Sequence, residues 1–120
     1  MAVQVVNRYN FEHLIRYSDK PSLIKFWHDQ CPMCVELGAV YEKLSNMYAD
    51  RFNFFEIDTT DEDAFGLPAA FEIDGVPEIY FFYKEKYKEI PWPDEPTESG
   101  YSEEYLVEHL NSFKKEDVDE

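Results

Sequence analysis

An apolar run that ends at a pair of cysteines, where the hydrophobic spacing changes from strand to helix, constrains the fold most strongly. Residues 23–27 are apolar except for Lys25 and follow a polar loop, which predicts a buried β-strand. From Cys34 onward, apolar side chains recur every three or four residues, at Leu37, Tyr41, Leu44 and Tyr48. This spacing predicts an amphipathic helix whose apolar face lies against a sheet.

Cys31 lies at the predicted start of that helix. Pro32 follows it, and the fixed φ of proline suits the first helical position. Free N–H groups and the positive end of the helix dipole favour a thiolate there, which makes Cys31 nucleophilic at neutral pH. Cys34 lies one helical turn further on, within reach of a mixed disulfide on Cys31. The pair predicts a site of dithiol/disulfide exchange, with Cys31 and Cys34 catalytic and their redox-active disulfide in place of a cofactor.

Composition narrows the class of protein and of partner. The 120 residues suit a single domain, which we place at residues 1–113, followed by a charged tail at residues 114–120. The chain has 11 basic and 26 acidic residues and a net charge of −15. Nucleic-acid phosphates and anionic membranes are bound by basic surfaces, so we expect neither kind of partner.

The two cysteines also bear on compartment and metal binding. No stretch of sequence is long and apolar enough to span a bilayer, and the first eight residues lack the features of a secretory leader, so we expect a cytoplasmic protein. Structural disulfides are rare there, which favours a redox or metal role for the pair. His28 with the two cysteines supplies three of the four ligands that structural zinc needs, whereas His13 and His109 fall on separate helices. We therefore expect no metal.

The order of elements predicts an α/β fold. The expected strands are residues 3–6, 23–27, 52–57, 79–83 and 87–90. The first expected helices are residues 11–17, capped by Asn10, residues 32–48, and a short helix within residues 64–71. The last expected helix is capped by Ser102 and buries Leu106, Leu110 and Phe113. This β-α-β-α-β-α-β-β-α order implies a central mixed sheet flanked by helices, parallel first and antiparallel at one edge. The cysteine pair then lies at the carboxyl end of a central strand.

Three segments together resemble the thioredoxin superfamily: Phe26-Trp27, the Cys31-Pro32-Met33-Cys34 pair, and Gly75-Val76-Pro77 before the strongest predicted strand. The resemblance covers residues 3–82, and more loosely residues 101–113. It implies a thioredoxin fold in which Cys31 attacks, Cys34 resolves, and Trp27, Val76 and a cis Pro77 shape the substrate groove. It further implies a thiol–disulfide oxidoreductase that acts on protein disulfides, with a thiol reductase or glutathione as electron donor.

Lys25 is the most informative departure from that family, because thioredoxins carry a buried aspartate at this position. Its place along the strand puts it on the same face as Trp27, and a buried lysine is costly unless it is paired. We hypothesise that Glu56 on the neighbouring strand is its partner and that the pair influences ionisation of the thiols. The alternative is that Lys25 extends out of the sheet edge to water. His28 and Asp29, in the loop before Cys31, are further candidates for that influence.

Two alternatives to thioredoxin-type reduction remain open from the sequence. A proline directly after the first cysteine is also found in glutaredoxins, which favours glutathione-dependent chemistry. The fold can also serve as a non-catalytic protein-interaction module, with the proline-rich loop 91–100 as its recognition element.

Overall fold

The computed structural model describes residues 3–118, whose strands form a five-stranded sheet in the order β1-β3-β2-β4-β5. The strands are β1 (Val3–Val5), β2 (Ser22–Trp27), β3 (Asn53–Asp58), β4 (Glu78–Tyr83) and β5 (Lys86–Glu89). β1, β3 and β2 run parallel, whereas β4 is antiparallel to both β2 and β5. The predicted α/β fold with a mixed sheet is confirmed.

Helices cover both faces of this sheet. They are α1 (Pro32–Met47), α2 (Leu67–Ala70) and α3 (Glu103–Ser112), with a π-helical turn at Glu12–Arg16 and 3-10 turns at Glu62–Ala64 and Lys115–Val118. As predicted, α3 begins at a Ser102 cap, whose hydroxyl accepts a hydrogen bond from the Tyr105 N–H at 3.0 Å. Within residues 3–118, no helix combines the length and apolarity needed to cross a bilayer.

β2 is the middle strand of the sheet, and both of its faces are covered. Its residues from Ser22 to Phe26 are all buried, as expected for a run without polar alternation. Side chains on alternate positions enter two separate cores. One core joins α1 and α3 to the sheet and contains Leu23, Leu37, Tyr41, Leu44, Phe54, Ile79, Phe81, Leu106 and Leu110. The other contains Phe11, Ile15, Ile24, Phe26, Phe55, Ile57, Phe71, Tyr80 and Phe82.

The structure corrects one local prediction. Asn10 does not cap the first helical segment, whose N-cap is Phe11 and which has no side-chain cap. In the turn before it, Asn7 Oδ1 accepts hydrogen bonds from the N–H groups of Tyr9 and Asn10, and the Asn10 amide contacts Asn7 and Val5. The charged tail expected at residues 114–120 contains a 3-10 turn, in which the Lys115 ammonium lies 5.0 Å from the centre of the Tyr83 ring. Residues 119 and 120 lie outside the described part of the chain.

Gly100 is needed where the loop between β5 and α3 closes on α1. Its φ of +75° disfavours L side chains, and a Cβ there would stand 2.8 Å from the Trp92 ring and 3.0 Å from the Met33 sulfur. We expect Gly100→Ala to lower the free energy of unfolding by about 1–3 kcal/mol, measured by urea denaturation.

Gly38, inside α1, is the matched control for this substitution. A Cβ there would meet nothing within 4 Å. Gly38→Ala should therefore raise stability by about 0.5–1 kcal/mol through better helix propensity. Equal stability of Gly100→Ala and the parent protein would contradict the described packing of the loop.

Candidate active site

Cys31 is held at the junction between β2 and α1. The chain leaves β2 at Trp27, turns so that the Cys31 N–H donates to the His28 carbonyl at 3.3 Å, and enters α1 with Cys31 as its N-cap. The Cys31 sulfur accepts a hydrogen bond from the Cys34 N–H at 3.1 Å. A free helical N–H directed at this sulfur stabilises negative charge on it. The predicted location of Cys31 at a helix N-terminus is confirmed.

The two thiols lie in different environments. Both are free, Cys31 is half-buried, and Cys34 is only 1% exposed on the inner face of α1. Burial raises the pKa of the Cys34 thiol to about 12, and its hydrogen bond with the Cys31 thiol acts in the same direction. Cys34 therefore remains protonated at neutral pH, and Cys31 is the thiol that a disulfide in solution can reach.

This difference predicts selective alkylation. In native reduced protein at pH 8, iodoacetamide should modify Cys31 alone, because a thiol of pKa about 12 is ionised there only on the order of one part in ten thousand. Peptide mass mapping identifies the modified residue. Protein unfolded in guanidinium is the control and should carry two adducts. Equal labelling of both thiols in the native protein would contradict the assigned burial of Cys34.

The turn before β4 faces Cys31. The Cys31 sulfur lies 3.9 Å from the carbonyl oxygen of Val76, and the Val76–Pro77 peptide bond is cis. Val76 is half-buried and Pro77 is buried. Trp27 is half-buried at the end of β2, and its indole N–H makes no hydrogen bond to any residue within 3–118. The structure thus places the expected groove residue Val76 directly beside the accessible thiol.

Glu78 fixes this turn and has no counterpart in the sequence-based prediction. It is 9% exposed, and one carboxylate oxygen accepts hydrogen bonds from the N–H groups of Asp74 and Gly75, both at 3.1 Å. The other oxygen accepts a hydrogen bond from the Tyr80 hydroxyl at 2.7 Å. A carboxylate directly after Pro77, at the start of an apolar strand, is the signal that could have identified it.

Lys25 and Glu56 form an ion pair beneath Cys34. The residues are register partners on β2 and β3, and Lys25 Nζ lies 3.4 Å from Glu56 Oε1. Lys25 is 3% exposed, and its ammonium lies 4.8 Å and 5.5 Å from the ring centres of Tyr41 and Trp27. The hypothesised pairing is confirmed.

The charge of Lys25 acts on the buried Cys34 thiol. Burial lowers the pKa of Lys25, and the neighbouring Glu56 carboxylate opposes that change. The positive charge of Lys25 in turn acts to lower the pKa of Cys34, although burial has the larger, opposite effect. The site therefore contains a buried cation that favours the anionic form of the second cysteine.

His28 and Asp29 contribute differently from Lys25. The Nδ1 atom of His28 accepts a hydrogen bond from the Gln30 N–H at 3.2 Å, so this side chain shapes the loop before Cys31. Asp29 is exposed and accepts a hydrogen bond from the Gln30 side chain at 3.4 Å. Their influence on the thiols stays a prediction.

Among residues 3–118, no three His, Cys, Asp or Glu side chains are grouped so that they could hold a metal ion.

Known proteins are similar to this chain in sequence. The family model described as Thioredoxin matches residues 2–110. A thioredoxin of Malassezia sympodialis is 30% identical over 81 residues, which cover 67% of this chain and 75% of that protein. The chloroplastic M-type thioredoxin of Brassica napus is 26% identical over 87 residues, covering 72% of this chain. The aligned part spans about half of the Brassica protein, at 48% of its length.

A solved structure extends the comparison to the fold. The crystal structure of thioredoxin F from spinach chloroplast superposes with a TM-score of 0.75, covering 92% of this chain and 84% of that one at 23% sequence identity. That likeness covers the sheet and its flanking helices, and the sequence matches extend from β1 to α3. The chain belongs to the thioredoxin family.

Proposed function

We propose that the protein is a thiol–disulfide oxidoreductase that exchanges its Cys31/Cys34 dithiol with disulfides of other proteins. The observation that carries the proposal is the difference in accessibility between the two thiols. Cys31 is accessible at a helix N-terminus with an N–H on its sulfur, and Cys34 is shielded one turn behind it. Such a pair can form a mixed disulfide through its outer sulfur and release it through its inner one.

The exchange proceeds in two steps that conserve atoms and electrons. The Cys31 thiolate attacks one sulfur of the substrate disulfide, forming a Cys31–substrate disulfide and expelling the other substrate sulfur, which takes a proton from solvent. Cys34 then loses its proton and attacks the Cys31 sulfur, expelling the second substrate thiolate. The substrate disulfide is reduced by two electrons, and a Cys31–Cys34 disulfide remains.

The backbone beside Cys31 supplies the place for the substrate chain. The Val76 carbonyl lies beside the reactive sulfur, and Glu78 holds its turn through two backbone N–H groups. An extended segment carrying the substrate cysteine can pair with that backbone. We assign Trp27 and Pro77 to the same groove.

A thiol reductase or glutathione is the proposed electron donor that returns the disulfide to the dithiol. Family membership over residues 2–110 supports protein disulfides as the substrates. We retain the cytoplasm as the proposed compartment because dithiols stay reduced there. Cell fractionation tests that location.

Turnover of a protein disulfide tests the function. A small protein with one exposed disulfide is incubated with dithiothreitol, with and without catalytic amounts of this protein. We expect each molecule of this protein to reduce many substrate disulfides. The released thiols are alkylated and counted by mass analysis. A rate equal to that of dithiothreitol alone would contradict the proposed activity.

A further inference from the structure

An exposed aromatic side chain lies beside the cysteine pair. Trp92, in the loop between β5 and α3, is 44% exposed, and its ring and the Met33 sulfur both approach Gly100 from the same side. Met33 stands between the two cysteines in the first turn of α1. We call these two side chains the Trp92–Met33 patch.

The loop holds this patch in place. The Trp92 ring packs edge-on against Tyr101, with ring centres 5.2 Å apart, and the Pro91 carbonyl accepts a hydrogen bond from the Tyr105 hydroxyl at 2.7 Å. Two hydrogen bonds between the backbones of Thr97 and Gly100 close the far end of the loop. Trp92 is therefore presented on an ordered surface, which lowers the entropic cost of binding.

The exposed charge around this patch has one sign. β2 and β5 end, and β4 begins, at the same edge of the sheet, so segments 28–36, 72–77 and 89–98 meet there. These segments contain eight aspartates and glutamates and no lysine or arginine. Arg8 follows β1, which lies beyond β3, and its N–H donates to the Asp63 carbonyl at 2.8 Å, so Arg8 and the acidic residues of segment 58–63 lie away from the patch.

Three exposed acidic residues lie in the segments around the reactive thiol. Asp29 precedes Cys31, Asp74 lies in the turn that carries Val76, and Asp94 lies in the loop that carries Trp92; all three are exposed. Clustered charge of one sign attracts opposite charge and repels its own kind, which changes association rates by about ten- to a thousand-fold. The charge of these segments therefore disfavours the approach of an acidic substrate.

Resting on the proposed function, we propose that this edge of the sheet is a docking surface for basic protein segments. The preferred substrate is a disulfide flanked by lysine or arginine, with an apolar residue that contacts the Trp92–Met33 patch. The acidic segments set which chains approach, and the patch holds them while Cys31 attacks.

Two disulfide-linked peptides test the proposal. They are identical, including one leucine beside the cystine, except that one carries lysines and the other glutamates around the disulfide. We expect the reduced protein to reduce the lysine peptide at least about tenfold faster at low ionic strength. The ratio should fall towards one in about 1 M salt, where charges are screened. Equal rates for the two peptides at low salt would overturn the proposal.

Matched triple variants locate the effect. Asp94→Asn/Glu95→Gln/Glu98→Gln removes three charges from the loop and should lower the rate ratio several-fold. The control Asp19→Asn/Asp50→Asn/Glu85→Gln removes three exposed charges at the opposite edge of the sheet and should leave the ratio unchanged. An equal effect of both triples would assign the preference to net charge and overturn the docking surface.

Trp92→Ala tests the apolar contact separately. The rate at which this variant reduces both leucine-containing peptides should be several-fold lower than that of the parent protein. Unchanged rates would remove the Trp92–Met33 patch from the proposal. If neither peptide is reduced by the parent protein, the oxidoreductase function itself fails. If both are reduced equally fast, the function stands and only the docking surface fails.

Discussion

Cys31→Ser is expected to abolish disulfide exchange, whereas Cys34→Ser is expected to halt it at a covalent intermediate. Cys31 is the accessible thiol, and Cys34 is 1% exposed, so a substrate disulfide cannot reach the second thiol directly. Without Cys34, the mixed disulfide on Cys31 has no internal nucleophile to release it.

Intact mass measurement distinguishes the two variants. After incubation with a protein disulfide, Cys34→Ser should gain the mass of one substrate chain, and dithiothreitol should remove it. Cys31→Ser should keep its own mass and show background turnover, while the parent protein completes the cycle. A stable adduct on Cys31→Ser, or full turnover by either variant, would reverse the assigned roles.

Lys25→Met should slow release of the mixed disulfide while leaving its formation intact. The positive charge of Lys25 lowers the pKa of Cys34, so its removal raises that pKa and leaves less thiolate at a given pH. Each unit of increase lowers the thiolate fraction of Cys34 about tenfold and raises the nucleophilicity of that thiolate about threefold, so the attack slows about three- to fourfold and the pH profile of release moves upward by the same unit. Stopped-flow measurement of release against pH checks this. An unchanged profile would show that Lys25 has only a structural role.

The Lys25–Glu56 ion pair should also affect the free energy of unfolding. Lys25→Met leaves Glu56, which is 22% exposed, without its partner at 3.4 Å, and we expect a loss of up to about 3 kcal/mol. Lys25→Met/Glu56→Gln removes both charges and should recover most of that loss, because a buried ion pair contributes little net stability. Urea denaturation of the parent protein, Lys25→Met, Glu56→Gln and the double variant gives the coupling energy. Additive effects of the two substitutions would contradict the pairing.

Features that follow from short-range periodicity could be predicted from the sequence. Cys31 begins a helix because the spacing changes there, and Cys34 is buried because it shares a helix face with Leu37 and Tyr41. The pairing of Lys25 with Glu56 follows from strand parity together with the cost of a buried charge. Asn10 is not the cap because its side chain is used in the preceding turn, where it accepts a hydrogen bond from the Asn7 N–H and donates one to the Val5 carbonyl.

Features that depend on contacts distant in sequence could not be predicted. Trp92 and Met33 come together beside Gly100 only because the loop folds back over α1, and loop composition carries no information on that path. Glu78 is missed for a local reason: the carboxylate after Pro77 is a visible signal, but its partners are two N–H groups of a turn whose shape the sequence does not give.

The reduction potential of the cysteine pair tests the central claim most directly. The protein is equilibrated in thiol/disulfide buffers of defined potential and quenched by alkylation, and the dithiol and disulfide forms are counted by mass, with Cys31→Ser as control. We predict a reversible two-electron transition near about −270 mV, the range of thioredoxins. A midpoint of roughly −200 mV or higher would indicate glutaredoxin-like or oxidant chemistry. Two free thiols at every potential would contradict the exchange function.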